Sequence, residues 1–426
     1  MHSTCAPDWG GIVTADTERS ATYREVFSVR EYRAVFGAYV LSAFGDMLAK
    51  VAVAILVWDR THSALLSAAS FAIGYLPWVA GGPLLAALAD RLPWRRTLVW
   101  CDLGRLVLVA VLAIPGIPLS GLLIVLFLAA LLTPPFEAAR SALLPDILSG
   151  DRYVLGLGLN NIAAQVCQVA GFILGGYLVS LISPRGALIV DAATFLGSAI
   201  LLRYRVAQRP APTPTHSEFS LRRETADGLR LVFGSRVLRV YTAMVWASAA
   251  FAFAPEGLAA PLADDIAGRG HNVVVGLLLA ANPVGTITGG IVVARFISPA
   301  RRAQLLRPLA LLSALALVPL AFSPPLAVVL VLYFASGFGM SFLLPLNAMF
   351  VRALPISFRA RAFGVVQSGL QISQGLAIVV AGWLADTVHP SVVIGLGGAF
   401  GVLCLGLLAV VWPSPRDAVE AIPEPA

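Results

Sequence analysis

The sequence predicts an all-α integral membrane protein with twelve transmembrane helices in two six-helix, pseudo-symmetric bundles. Of its 426 residues, 58% are hydrophobic and only 12% are charged, whereas soluble domains carry about 25% charged residues. The apolar residues form twelve long runs, and a polar pattern in the fifth run recurs in the eleventh. The net charge of +7 does not indicate a nucleic-acid-binding protein, because the basic residues lie in the gaps between the apolar runs.

The twelve runs are named spans 1 to 12. Each is long enough to cross about 30 Å of hydrocarbon as a helix that rises about 1.5 Å per residue, with tilt absorbing the differences in length. The spans are predicted at residues 34–58, 64–89, 98–114, 119–136, 153–182, 186–202, 237–263, 272–297, 304–322, 325–350, 363–385 and 391–412.

The basic residues predict the orientation of these spans. If both termini lie on one side of the membrane, 25 of the 30 lysines and arginines fall on that side. By the positive-inside rule that side is the cytoplasm, so we expect both termini to be cytoplasmic. The exceptions are Lys50, Arg60, Arg105, Arg185 and Arg269.

The chain divides at its polar segments. The central linker opens with the proline-rich run RPAPTPTHSEF, and Leu221, Leu229 and Val232 give its second part the pattern of a short amphipathic helix at the membrane surface. A solvated tether and a regulatory element are both compatible with this composition. The predicted segments are a cytoplasmic tail at 1–33, the first bundle at 34–203, the linker at 204–235, the second bundle at 236–412 and a cytoplasmic tail at 413–426.

The two bundles resemble each other in sequence, which indicates a parallel repeat. Amides recur at helical spacing in span 5 and again in span 11, each 206 positions later. Residues three and four apart share one helix face, and lipid offers amides no partner, so both stripes are expected to face the cavity or the seam between the bundles. The stripes are Asn161, Gln165 and Gln168 in span 5, and Gln367, Gln371 and Gln374 in span 11.

A tight charged elbow, within GGPLLAALADRLPWRR, separates spans 2 and 3. It contains Asp90, Arg91, Arg95 and Arg96 and must lie at a membrane surface. This stretch resembles the signature loop between helices 2 and 3 of major facilitator superfamily transporters. The chain has Ala86 and Pro93 where that signature usually has glycines. Its DRLP sequence is similar to the form of the signature in the bacterial drug and siderophore exporter branch.

The resemblance implies gating roles for several residues. In the family, the aspartate and basic residues of the elbow lock the closure of the two halves on the inner side, here against the loop between spans 10 and 11. Asp102 and Arg105 in span 3 resemble an Asp-x-x-Arg pair of the exporter branch, with a structural or gating role. Residues assigned to gating are Asp90, Arg91, Arg95, Arg96, Asp102, Arg105, Arg140, Arg352, Arg359 and Arg361.

The resemblance also implies a function. It predicts a monomeric secondary transporter of the bacterial cytoplasmic membrane that uses no cofactor. A proton gradient would drive efflux of a hydrophobic or amphipathic small molecule, such as a drug, an antibiotic or a siderophore-like metabolite, by alternating access. The expected partners are the lipid bilayer and the substrate, with no nucleic acid. Two alternatives stay open: solute uptake by the same fold, and a membrane sensor or scaffold that does not transport.

Enzyme chemistry is not predicted. A phosphate-binding loop needs Gly-Lys, but the single lysine, Lys50, follows Ala49 inside span 1. The five histidines lack His-x-x-x-His spacing and the four cysteines lack short pair spacing, so no metal site is expected.

Charged residues inside spans are the candidates for proton coupling. Each costs roughly 2.5–3.5 kcal/mol at mid-helix and therefore needs a partner or a water-filled cavity. Asp46 is the first candidate, with Lys50 one turn later on the same face. Burial disfavours the charged carboxylate and a nearby cation favours it, so Asp46 could be a proton carrier or one half of a permanent ion pair. Glu256 is a further candidate, between Pro255 and Gly257 where the helix should break. It could line the outer cavity or reach the outer headgroups, and the second placement is the one expected.

Overall fold

The structure is a computed structural model that describes residues 21–80, 92–210, 221–352, 354 and 359–412. All regular secondary structure in these residues is helical. The predicted all-α fold is therefore confirmed.

The helices of the first bundle follow the predicted spans. Span 2 bends through a 3-10 turn and is described as far as residue 80. A short helix, Tyr23–Ser28, precedes span 1. The bounds are Arg30–Thr61 for span 1, Ala64–Ala72 with Ile73–Tyr75 and Leu76–Ala80 for span 2, Trp94–Leu112 for span 3, Leu119–Leu131 with Thr133–Ile147 for span 4, and Asp151–Arg205 for spans 5 and 6 together.

The second bundle repeats this order after a linker helix at Leu221–Gly234. The bounds are Arg236–Gly257 with Ala259–Ala267 for span 7, His271–Phe296 for span 8, Pro299–Leu315 with Val318–Phe322 for span 9, Leu326–Met340 with Leu343–Arg352 for span 10, Arg359–Ala385 for span 11, and Pro390–Val410 for span 12.

The described helices account for all twelve spans. In the part of the chain that the structure describes, nine helical segments are long and apolar enough to cross a membrane. One of the nine, Asp151–Arg205, contains two spans. Span 2 is a shorter apolar helix at Ala64–Trp78 within the described part. Span 3, Trp94–Leu112, carries four charged residues and is therefore less apolar than the rest.

Spans 5 and 6 join in a turn centred on one residue. Ser183 has φ 81° and ψ 161°, outside the helical region, and precedes Pro184. Gly171 of span 5 packs against Met47 of span 1, and Gly197 of span 6 packs against Leu41. Span 6 therefore runs back along span 1 antiparallel to span 5.

The predicted break in span 7 is present. Its first helix ends at Gly257, Leu258 adopts a non-helical backbone, and a second helix begins at Ala259. Pro255 lies in the last turn, where its ring removes one backbone donor.

The buried apolar clusters show how the bundles meet. One end of the molecule, here called the basic end, contains the helix termini at Arg30, Arg205 and Arg236. The opposite end contains the helix termini at Thr61 and His271. At the opposite end, one cluster draws side chains from both bundles. At the basic end, each cluster of described residues belongs to a single bundle. Among the described residues, the bundles are therefore joined at the opposite end, whereas their apolar clusters at the basic end are separate.

Glycines allow close backbone contact between span 5 of the first bundle and span 8 of the second. A Cβ on Gly176 of span 5 would lie 2.5 Å from the carbonyl oxygen of Asn272, and a Cβ on Gly276 of span 8 would lie 2.5 Å from that of Phe172. Small residues let helix backbones approach in this way in membranes, where van der Waals packing replaces the hydrophobic effect between helices. Contact between spans 5 and 8 thus requires these two glycines.

The linker helix packs on the second bundle. A Cβ on Gly228 would lie 3.0 Å from the carbonyl oxygen of Arg361 in span 11, and Val232 is fully buried. The predicted helix is present, and it lies against spans 7 and 11. Residues 211–220, which hold most of the proline-rich run, lie outside the described residues, as do both predicted tails apart from 21–33.

We expect Gly176→Ala to weaken closure at the opposite end, because overpacking costs about 1–3 kcal/mol. The matched control is Gly158→Ala in the same span, since a Cβ there meets nothing within 4 Å. The readout is thiol labelling of Ala64→Cys, a site 2% exposed in the closed end, in a background without native cysteines. Equal labelling in both glycine variants would show that the span 5–8 contact does not control closure.

Candidate functional site

A cavity of about 240 Å³ lies inside the first bundle, between spans 1, 2, 3, 4 and 6. Span 11 of the second bundle closes one side of it through Gln371. Charged groups are concentrated here, in a region that the bilayer would surround. The polar lining comprises Asp46, Lys50, Ser70, Tyr75, Arg105, Thr133, Asp191 and Gln371.

Arg105 is the centre of this charge cluster. Its Nη1 lies 3.7 Å from Oδ2 of Asp46 and donates to Oγ of Ser42 at 3.4 Å. Its guanidinium carbon lies 5.2 Å from the ring centre of Phe136 and 5.5 Å from that of Phe195. The Arg105 side chain is 3% exposed, whereas 38% of the Asp46 side chain is open to the cavity. Asp46 therefore has a direct cationic partner from span 3, which sequence spacing did not reveal.

Lys50 lines the same cavity as Asp46. The sequence predicted Lys50 as the partner of Asp46, one turn away on span 1. In the structure, Asp46 forms its ion pair with Arg105. Lys50 lies farther along the cavity wall and adds a positive charge to the cavity.

Among the described contacts, Asp102 and Arg105 make their hydrogen bonds and ion pair with other helices and not with each other. Oδ2 of Asp102 accepts a hydrogen bond from Oγ of Ser198 in span 6, and the Asp102 side chain is fully buried. Arg105 turns instead toward span 1. The two residues thus tie span 3 to two different neighbours.

Asp191 in span 6 was missed by the sequence analysis. It is fully buried, lines the cavity, and accepts a hydrogen bond from Oγ1 of Thr194 at 3.3 Å. A Cβ on Gly45 of span 1 would lie 2.1 Å from Oδ1 of Asp191, so this glycine makes room for the carboxylate. Oδ2 of Asp191 has no hydrogen-bond partner among the described residues. The signal was available, because Asp191 is an acidic residue in the middle of a predicted span.

Glu256 lies elsewhere than expected. It is 8% exposed and lines a small internal cavity of the second bundle together with Asn282 and Tyr333. The expectation that it reaches the outer headgroups is wrong, because span 7 turns its side chain toward spans 8 and 10. Glu256 also stands 206 positions after Lys50, at the equivalent place in the repeat.

The amide stripes are only partly internal. Gln371 lines the cavity and Gln374 is 7% exposed, whereas Asn161 and Gln367 are exposed in the isolated molecule. Gln165 and Gln168 are half-buried. In span 5 the stripe continues along one face to Phe172 and Gly176, which contact the second bundle. That both stripes face inward stays a prediction.

The gating residues fall into two groups. Asp90 and Arg91 lie outside the described residues, and for Arg352 only the helical backbone is described. Arg95 donates to the carbonyl of Val206 and to Oε1 of Gln208, both at 3.0 Å and both at the end of span 6. Arg96 is exposed. The predicted closure of the two halves, by contact of this elbow with the loop between spans 10 and 11, stays a prediction.

The remaining gating residues make local contacts. Nε of Arg359 donates to the carbonyl of Leu354 at 3.3 Å, and the carbonyl of Arg361 faces the linker helix. Arg140 pairs with Glu137, whose side chain is 28% exposed. Arg140 is 13% exposed, and its guanidinium carbon lies 4.0 Å from the ring centre of Tyr39.

Two polar contacts connect the bundles at the opposite end. Nε2 of His271 lies 3.3 Å from Oδ1 of Asp59. Asp386 of span 11 accepts hydrogen bonds from Oγ of Ser63 and from the backbone N–H of Leu65 at 3.1–3.2 Å. These contacts accompany the apolar cluster shared by both bundles.

We expect His271→Ala to loosen the opposite end by up to about fivefold in the open-to-closed ratio, since a partly exposed pair of this kind, ionic when the imidazole is protonated, contributes about 0.2–1 kcal/mol. The matched control is His389→Ala, because His389 pairs with Asp265 at 3.4 Å within the second bundle. Labelling of Ala64→Cys should rise in the first variant only. A rise of the same size in both would assign the effect to general destabilisation.

The comparisons with known proteins agree with this architecture. The family model described as Major Facilitator Superfamily matches residues 35–263 and 256–426. The multidrug efflux pump Tap of Mycolicibacterium fortuitum is 25% identical over 400 residues, which cover 90% of this chain and 95% of Tap. The uncharacterised MFS-type transporter YkuC of Bacillus subtilis (strain 168) is 26% identical over 234 residues, 54% of each chain.

Solved structures show the same fold. The nucleoside transporter NupG matches with a TM-score of 0.72 and 12% identity, over 90% of this chain and 100% of that one. A bacterial homolog of the human lysosomal transporter Spinster, in an inward-facing and unoccupied conformation, matches with a TM-score of 0.68 and 14% identity, over 95% and 100%. At these identities the likeness concerns the fold alone.

Proposed function

The chain belongs to the major facilitator superfamily, and we propose that it exports a hydrophobic or amphipathic small molecule in exchange for protons. It is a multi-pass membrane transporter and not an enzyme. The proposed substrate class and direction are supported by the similarity to Tap, a multidrug efflux pump, over nearly the full length of both chains.

The observation that carries the proposal is the charge cluster around the central cavity. Three carboxyl groups and two basic groups lie within the first bundle, and four of the five line the cavity. Charges inside a membrane protein are costly and mark ion or substrate pathways. A structural scaffold would gain nothing from an aqueous cavity lined by them. The five residues are Asp46, Lys50, Asp102, Arg105 and Asp191.

The cluster can hold one exchangeable proton. With all three carboxyl groups ionised and both basic groups charged, its net charge would be −1, and one bound proton would make it neutral. We assign that proton to Asp46, because 38% of its side chain is exposed to the cavity. The side chain of its partner Arg105 is only 3% exposed. Protonation of Asp46 removes its attraction for Arg105 and frees the guanidinium to change partners.

The proposed orientation places the basic end in the cytoplasm, in agreement with the positive-inside rule. The joined bundles then close the outer side, and the separate packing at the basic end corresponds to an inward-facing state. Alternating access would proceed by opening the span 5–8 contact while the basic end closes.

Orientation is tested by thiol labelling. Ser120→Cys at the start of span 4 and Ala207→Cys after span 6 are both exposed sites. We expect an impermeant reagent to label only Ser120→Cys in intact cells and both after lysis. Labelling of Ala207→Cys from outside would reverse the assignment.

Coupling is tested with Asp46→Asn in inverted vesicles with an imposed pH gradient and a panel of lipophilic cations, macrolides and siderophores. We expect pH-driven accumulation to fall by about tenfold or more, the scale of a typical coupling between two sites, because the amide cannot carry the proton. Substrate binding without a gradient should persist.

The matched control for this test is Asp146→Asn, since Asp146 pairs with Arg209 at the basic end and is 44% exposed. It should transport normally. Full pH-driven export by Asp46→Asn would exclude Asp46 as the proton carrier, and Glu256→Gln and Asp191→Asn would be examined next.

A further inference from the structure

His271 lies where the two bundles meet at the opposite end. It begins span 8 of the second bundle, and the next residue, Asn272, has the carbonyl oxygen that would lie 2.5 Å from a Cβ on Gly176 of span 5. Nε2 of the His271 ring lies 3.3 Å from Oδ1 of Asp59 at the end of span 1. The charge on this ring therefore acts directly across the contact between the bundles.

The other ring nitrogen determines where the neutral ring carries its hydrogen. Nδ1 of His271 lies 3.0 Å from the carbonyl oxygen of Gly268. A carbonyl oxygen only accepts hydrogen bonds, so Nδ1 is the donor in this contact. A neutral imidazole has a single N–H, and its second nitrogen then has a lone pair. In the neutral ring, the lone pair on Nε2 therefore lies beside the carboxylate of Asp59, and the contact between the bundles is repulsive.

Protonation reverses the sign of this contact. The imidazolium has an N–H on both nitrogens and a positive charge, so it attracts Asp59. Nε2 makes no hydrogen bond among the described residues, and its attraction for Asp59 therefore depends on the charge of the ring. Nδ1 also lies 3.9 Å from Oδ1 of Asp264 in the second helix of span 7. The charged ring thus lies between a carboxylate of the first bundle and a carboxylate of the second.

Two further histidines at this end have partners within their own bundle. The ring centre of His62 lies 5.6 Å from that of Trp58, and both residues belong to the end of span 1. His389 pairs with Asp265 at 3.4 Å within the second bundle. Of these three imidazoles, His271 is the one whose contact crosses between the bundles.

The His271 contact is open to water at the opposite end. The side chain of Asp59 is 44% exposed and that of Asp264 is 37% exposed. The second polar link between the bundles, made by Asp386, contains no imidazole. An imidazole ordinarily changes its charge between about pH 5 and 8. The contact at His271 is therefore attractive toward the acidic end of this range and repulsive toward the alkaline end.

We propose that the opposite end closes in response to pH, because protonation of His271 holds the bundles together and its deprotonation favours opening. This inference rests on the proposed function for its orientation, which places His271 at the outer face. An acidic exterior then holds the transporter inward-facing and slows the step that opens it to the outside. Outer pH thus regulates the cycle at a place distinct from the proton assigned to Asp46.

The test measures distances between two spin labels by double electron–electron resonance, with the full chain in lipid nanodiscs between about pH 5.5 and about pH 8. The labels are placed at Ser120→Cys in the first bundle and Ser323→Cys in the second, both exposed at the opposite end, in a background without native cysteines. With no further substitution, we expect the open-to-closed ratio to rise roughly two- to fivefold over this range, the size of effect that a partly exposed ion pair produces.

Variants of His271 assign the response to this ring. We expect His271→Gln, which has no charge, to lose the two- to fivefold change. His271→Lys keeps a positive charge throughout the range and should stay closed at every pH. The matched control is His389→Gln, which removes an imidazole paired within the second bundle and should keep the full response. If His271→Lys does not fold, Asp59→Asn removes the partner carboxylate and should abolish the same response.

Three outcomes would overturn the proposal. An unchanged pH response in His271→Gln assigns the response to other groups. A response lost equally in His389→Gln assigns it to general destabilisation. Opening of His271→Lys with rising pH, as in the unsubstituted ring, contradicts the charge argument. Because the distances are measured without substrate or gradient, pH-dependent closure with no pH-driven transport would refute the proposed function and leave the role of His271 intact.

Discussion

The structure depends on the burial of one guanidinium in the first bundle. Arg105 on span 3 reaches Asp46 and Ser42 on span 1 and packs between aromatic rings of spans 4 and 6. A buried cation without a compensating partner is strongly destabilising. The folded state therefore requires these neighbours to be in contact with Arg105. The arginine thereby fixes the rotation of four helices around one cavity. The buried carboxylate of Asp191 likewise requires a glycine at position 45, since a Cβ on Gly45 would lie 2.1 Å from its Oδ1.

The contact between the bundles follows a different physical rule. At the basic end, the apolar clusters of the described residues are separate in each bundle, whereas at the opposite end one cluster draws from both bundles and helix backbones approach closely at Gly176 and Gly276. Lipid tails compete equally well for apolar side chains, so association between helices depends on close packing and a few polar contacts. Under the proposed alternating access, this is the interface that opens and closes. The two polar links at Asp59 and Asp386 add to it without making it permanent.

The sequence predicted the spans, the break at Gly257 and the linker helix because these depend on local properties: apolar length, proline and amphipathic spacing. It did not predict the partner of Asp46, the buried position of Glu256 or the division of Asp102 and Arg105 between two neighbours. Those depend on how far each helix is rotated about its axis, which only contacts between distant residues determine. Asp191 differs, because a carboxylate inside an apolar run is visible without any structure.

The charge cluster belongs to one bundle only, and the repeat position of Lys50 in the other bundle holds an acid, Glu256. A rocking motion of two such unlike bundles displaces a net charge relative to the bilayer. The membrane potential acts on that displacement with about 2.3 kcal/mol per elementary charge per 100 mV for a full crossing. In the neutral, protonated form the cluster crosses the field without electrical work, whereas the unprotonated form is driven by it. Under the proposed exchange of substrate for protons, the asymmetry between the bundles would make the conformational cycle sensitive to voltage as well as to pH.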